Sequence, residues 1–220
     1  MRQRVLLVAA ITVLPSIAQA HFRLVAPAPQ YAQDGSGNPQ VAAPCGDNNG
    51  TLLPTITTVM AGSTLTLTID ETITHYGHYR VALAQDESGL PADPPVSPGT
   101  TACGSAPIDS SPALPLLADG VFVHTSAFSG DQTTQIAIPA GTTCTDCVLQ
   151  ILEFMTNHAA PCFYYHCARV TVTTGAVPDA GLGGGGDDSG GCNSGGHGAP
   201  SSGFALMLLG ALVRRRAARR

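Results

Sequence analysis

Residues 63–70, Ser-Thr-Leu-Thr-Leu-Thr-Ile-Asp, place Leu65, Leu67 and Ile69 at every second position with threonines between them. A period of two marks a strand with one face in a core and the other in water. Residues 79–84, 120–125, 134–138, 148–154 and 169–173 read likewise as short strands. Gly and Pro clusters punctuate them, as in the stretch from Leu90 to Gly99 with its four prolines. No segment repeats apolar residues at helical spacing, and no internal repeat is present. Short strands separated by Gly/Pro-rich turns predict an all-β fold, an immunoglobulin-like antiparallel β-sandwich with long loops.

The two ends of the chain break this pattern. Arg2 and Arg4, an apolar stretch from Val5 to Ile17 and then Ala18-Gln19-Ala20 have the order of a secretory signal peptide over residues 1–20. Cleavage after Ala20 makes His21 the first residue of the mature chain, offering a free α-amine and a ring nitrogen from one residue. One domain is expected over 21–174, long enough for a substantial core. Residues 175–198 have the Gly-rich composition of a flexible linker and contain Cys192. Residues 199–220 join an apolar run, Gly203 to Val213, to five arginines. That run is shorter than the roughly twenty residues that span a bilayer. The order Gly-Gly-Cys192, apolar run, arginine cluster resembles the C-terminal sorting tails of myxobacterial surface proteins. It implies processing near Cys192 and anchoring at the outer cell surface, with membrane contact only through this tail; a weakly membrane-spanning tail anchor is the alternative.

Charge narrows the partners. Residues 21–174 hold three arginines, no lysine and twelve acidic residues, a net of −9. Nucleic acid is excluded, because phosphate contacts need cations. A neutral polymer or a metal cation suits the balance better. Six cysteines fall in the domain: Cys45, Cys103, Cys144, Cys147, Cys162 and Cys167. In a secreted chain they predict disulfide staples, with fifteen possible pairings. The Cys144-Thr-Asp-Cys147 spacing also occurs in zinc and thioredoxin-like sites, but no βαβ pattern surrounds it. Cys192 is the odd cysteine, as a processing residue would be.

Histidines supply the candidate chemistry. His75 and His78 flank Gly77 ahead of a strand, and either ring is placed to meet a shared surface. A second cluster, His158, Phe163, Tyr164, Tyr165 and His166, lies between two strands and beside Cys162 and Cys167. His197 falls in the linker.

Together, a mature N-terminal His21, the His75-x-Gly77-x-Tyr79 stretch and an aromatic three residues before Cys167 resemble the lytic polysaccharide monooxygenases and their non-catalytic relatives that bind copper in a histidine brace. The resemblance spans 21 to about 172. It implies one copper ion held by the amine and ring of His21 and the ring of His75, with His78 the runner-up. Tyr164 would lie on the axial side, and His158 would assist oxygen handling. It also implies a Cys45–Cys167 disulfide, an external electron donor, O₂ or H₂O₂, and a polysaccharide such as chitin or cellulose; a monomer is expected. Three nitrogen donors suit Cu(II) and leave positions open.

Two departures stand out. Cys162 replaces the Gln or Glu found in many members two residues before the axial aromatic. The domain also has no tryptophan, leaving Tyr31 and Tyr76 as candidates to stack on sugar rings. Phe163 or Tyr165 takes the place of Tyr164 if the loop register differs. The readings that remain are a polysaccharide monooxygenase, a copper-binding or copper-acquisition protein without turnover, and a structural surface adhesin in which His21 has no special part.

Overall fold

A computed structural model describes residues 21–47 and 49–175. The segment read as a signal peptide (residues 1–20), Cys192, His197 and the Arg-rich tail lie outside the described residues. Eight strands form the domain: β1 (His21–Ala26), β2 (Thr57–Met60), β3 (Thr64–Ile73), β4 (Gly77–Ala84), β5 (Leu116–His124), β6 (Gln132–Ala137), β7 (Cys144–Met155) and β8 (Phe163–Thr173). A single 3₁₀ turn, Glu87–Gly89, follows β4, capped by the Asp86 carboxylate on the Ser88 and Gly89 amides. The order is β1-β3-β6 in one sheet and β2-β8-β7-β4-β5 in the other, so the chain is an immunoglobulin-like β-sandwich. All pairings are antiparallel except β2 with β8, which is parallel at the sheet edge.

Alternation explains which residues meet between the sheets. Phe22 and Leu24 of β1, Leu65, Leu67 and Ile69 of β3 and Ile136 of β6 face Tyr79, Val81, Leu149, Ile151, Tyr164, Ala168 and Val170 of the larger sheet. β7 does not alternate: its last nine residues, Cys147 to Met155, are all buried. Its outward residues are covered as well. Leu152, Phe154, Phe163 and Tyr165 pack with Cys103, while Val148 packs with Cys45 and Cys167.

Disulfides hold these covering loops down. Cys45 bonds Cys167 across 122 residues and Cys103 bonds Cys162 across 59. Loop-closure entropy makes them worth about 5 and about 4 kcal/mol. Cys144–Cys147 closes a separation of 3 residues within β7 and by the same relation contributes about 2 kcal/mol.

Two strands have no counterpart in the sequence pattern, β1 and β2. In β1 only Phe22 and Leu24 alternate cleanly, and the apolar Val25 is exposed. In β2 a single side chain, Val59, is buried.

Candidate metal centre

Four sequence-selected residues come together at one end of the sandwich. His21 opens β1, where the register with β3 slips between His21 and Phe22. Such a bulge breaks the alternation, and both consecutive side chains are buried. Thr72 Oγ1 lies 3.1 Å from the His21 carbonyl and 2.8 Å from the Ser36 carbonyl, a donor shared between the two backbones. The His21 ring lies 5.8 Å from that of Tyr164.

His75 sits in the short connection between β3 and β4, half-buried. Gly77 explains how it gets there. A Cβ on Gly77 would meet the Phe154 carbonyl oxygen at 1.8 Å, so only glycine lets β4 close against β7 this soon after the histidine. The His75 ring stands perpendicular to that of His158, with centroids 4.5 Å apart. Burial lowers the proton affinity of His75; the neighbouring His158 lowers it further, Glu71 opposes this, and His21 adds to it. A neutral imidazole is the form that ligates a metal.

His158 is buried in the turn between β7 and β8. Its carbonyl accepts from the Cys103 amide at 3.0 Å. Cys162 closes the same turn through its disulfide to Cys103, so the position where Gln or Glu was expected is a structural staple. Tyr164 faces the interior, whereas Phe163 and Tyr165 face the covering loops. The Tyr165 hydroxyl donates to Asp93 at 2.6 Å. The loop register therefore puts Tyr164, and neither neighbour, beside His21. Burial and the nearby Glu153 raise the Tyr164 hydroxyl pKa above the ordinary phenol value.

His78 lies on the other face of β4, its ring 5.3 Å from Phe154 and 3.8 Å from Asp119. Tyr76 is exposed beside His75, next to a cavity of about 350 Å³ that Thr74, Ala127 and Asn157 also line. Tyr31 packs instead against the Cys45–Cys167 group. His166 is buried, and its Nε2 donates to the Phe22 carbonyl at 2.9 Å.

Beneath these residues lies a buried acidic group that the sequence reading did not single out. Residues paired across neighbouring strands share a face. Glu71 pairs with Phe22, and Glu153 pairs with both Tyr79 and Tyr164, so both carboxyls point between the sheets. His124 Nε2 lies 3.0 Å from Glu71 Oε1, and the Tyr79 hydroxyl donates to the same oxygen at 3.4 Å. The two groups form an ion pair when the His124 ring is protonated, although Nε2 makes no hydrogen bond. Burial works against the His124 proton, but Glu71 and the Phe122 and His75 carbonyls outweigh it, raising its pKa. Neither oxygen of Glu153 makes a hydrogen bond, and burial reinforced by Glu71 pushes its pKa well above the usual carboxyl value. One signal was present: Glu153 is the only charged residue in the apolar run from Val148 to Met155.

Among the described residues, no three His, Cys, Asp or Glu side chains gather into a metal-holding group. A site built on His21 and His75 has two such side chains and needs a main-chain donor. Cleavage after Ala20 would make the α-amine of His21 that donor, and the residues fit a three-nitrogen site on this condition.

No protein-family model matches the chain, and no curated protein matches it. Among solved structures, an AA15 lytic polysaccharide monooxygenase from Thermobia domestica in the Cu(I) state is 18% identical, with 60% of this chain and 76% of that one covered and a TM-score of 0.39. An AA10 lytic polysaccharide monooxygenase from Streptomyces lividans is 15% identical, with 57% and 63% covered and a TM-score of 0.33. Likenesses this distant assign neither family nor activity to the chain.

Proposed function

We propose that the mature chain is a secreted mononuclear copper protein that oxidises polysaccharide chains. The amine and ring of His21 and the ring of His75 hold the metal. The observation that carries this reading is the meeting of His21, which follows the Ala18-Gln19-Ala20 signal, with His75, His158 and Tyr164 at one end of the sandwich. Bound there, copper would supply one-electron chemistry for oxidising a C–H bond beside a glycosidic linkage, with O₂ or H₂O₂ and an external donor.

The chain's own residues then have definite tasks. Lowered proton affinity keeps the His75 ring neutral and available for ligation. Tyr164, fully buried with a raised pKa, stays protonated and closes the side of the site against the core. His158 is held by Cys103 and the Pro161 carbonyl, 3.2 Å from its Nδ1, so its ring keeps its place beside His75. Tyr76 offers an exposed aromatic face next to His75 for a sugar ring. Processing after Ala20 frees the amine, and the C-terminal segment anchors the product at the outer surface.

Copper titration followed by electron paramagnetic resonance tests the ligand set. Chain beginning at His21 should bind one Cu(II) through nitrogen donors; the same chain with one residue added before His21 should bind at least tenfold more weakly. Equal affinity would sink the assignment. Chitin, cellulose and xylan with reductant then test the reaction. Oxidised oligosaccharides support it, whereas full copper loading without such products from any polymer identifies a copper-binding protein without turnover.

A further inference from the structure

Six residues along β7 from Glu153, on the same face of the strand and about 20 Å away, the Cys144–Cys147 disulfide lines a second cavity. This cavity has a volume of about 460 Å³ and is also walled by Leu83, Gln85, Leu114 and Thr143. We propose that Cys144–Cys147 is a thiol-exchange site that accepts two electrons from a small thiol entering this cavity. The proposal is independent of copper at His21 and His75.

Three observations carry it. First, the bond joins two residues of one strand, whereas Cys45–Cys167 ties a loop to β8 and Cys103–Cys162 ties a loop to the β7–β8 turn. Second, the arch between the cysteines is held without it. The β7–β8 register slips between Cys144 and Cys147, and Asp146 adopts a left-handed φ of 55°. The Asp146 amide donates to Thr171 Oγ1 at 3.1 Å, and the Arg169 guanidinium bonds the Asp146 carboxylate. Opening the disulfide leaves these contacts in place. Third, the two sulfurs differ in access: Cys144 is half-buried at the cavity wall, whereas Cys147 is fully buried with its sulfur 3.5 Å from Gln85 Oε1.

Access sets the direction of attack. A thiolate R–S⁻ bonds to Sγ of Cys144 and the Cys144–Cys147 bond breaks. Cys147 leaves as a thiolate, takes up a proton from water and can then donate to Gln85 Oε1. A second R–S⁻ attacks the R sulfur of the mixed disulfide, releasing R–S–S–R and the Cys144 thiolate, which is protonated in turn. Two thiols are oxidised and one cystine is reduced.

The test uses the purified full chain, with Cys192 first capped by iodoacetamide. Graded dithiothreitol, a quench with N-ethylmaleimide and peptide mass mapping report which cysteines open, while near-ultraviolet circular dichroism follows the fold. Cys144 and Cys147 should label together at a dithiothreitol concentration at least tenfold below that needed for the other four, with the dichroism unchanged. In Cys147→Ser, glutathione disulfide should load Cys144; in Cys144→Ser, Cys147 should stay unmodified while the protein is folded. Opening of all three disulfides together, loss of the dichroism when this pair opens, or faster loading of Cys147 than of Cys144 would each overturn the proposal. The wild-type measurement decides the matter even if a variant does not fold.

Discussion

Acid should loosen the strand that carries His21, through His166. Its ring is buried beneath Phe22, and desolvation, only partly offset by the Phe22 and Gly37 carbonyls, lowers its pKa from 6.5 to about 4. The folded protein thus resists a proton that the unfolded chain accepts, and stability falls as pH drops from 6.5 toward 4. The stabilisation is complete above pH 6.5. Linkage across that shift removes about 2 kcal/mol by pH 5 and about 3 kcal/mol by pH 4. Other groups titrate in the same window, so the comparison must be with His166→Gln. That variant loses the bond to the Phe22 carbonyl, worth about 1 kcal/mol at pH 7.5, but has no ring to protonate. Urea unfolding of metal-free protein at pH 7.5, 6, 5 and 4 gives both stabilities. Wild type minus variant should fall by about 2 kcal/mol between pH 7.5 and pH 5. Parallel profiles would refute the assignment of this acid sensitivity to His166.

Further outcomes follow from neighbouring contacts. Gly77→Ala drives a Cβ into the Phe154 carbonyl and should cost about 3 kcal/mol or more in denaturant unfolding, with copper affinity falling as His75 is displaced. Glu153 has a raised pKa, so its stabilising neutral form is present at low pH and is lost as pH rises through the folded value. Glu153→Gln should therefore flatten the decline in thermal stability as pH rises above the usual carboxyl range, and an unchanged decline would count against a buried neutral carboxyl. Phe22→Ala empties a site packed edge-on against Tyr79 and His166 and should cost about 3–5 kcal/mol, measured by urea unfolding at pH 7.5.

How much of this was legible depends on what each residue reports locally. The threonine–leucine alternation of β3 is visible because one face meets water and the other the core. β7 shows mostly apolar residues on both faces because loops cover its second face, and only their disulfides and packing reveal that cover. β2 is invisible to such a reading: four residues with one buried side chain carry no period. At the site, Gly77 is the most informative letter, since its missing side chain is what allows the strand behind His75 to close. His21, His75, His158 and Tyr164 could be singled out by type and spacing, and the fold gathers them. Glu71 shares the parity of Leu65, Leu67 and Ile69, yet a charge there reads as the end of the core-facing pattern until pairing with Phe22 shows that the face continues inward.

His21 is both the first residue of a paired strand and the residue after Ala20. On the proposed reading, the cut must therefore fall at the first described residue of the β1–β3 ladder. A cut one residue late removes the histidine, and a cut one residue early caps its amine. Either error leaves the sandwich core intact, so a pool of miscut molecules would pass every test of folding while lacking the one donor that maturation creates.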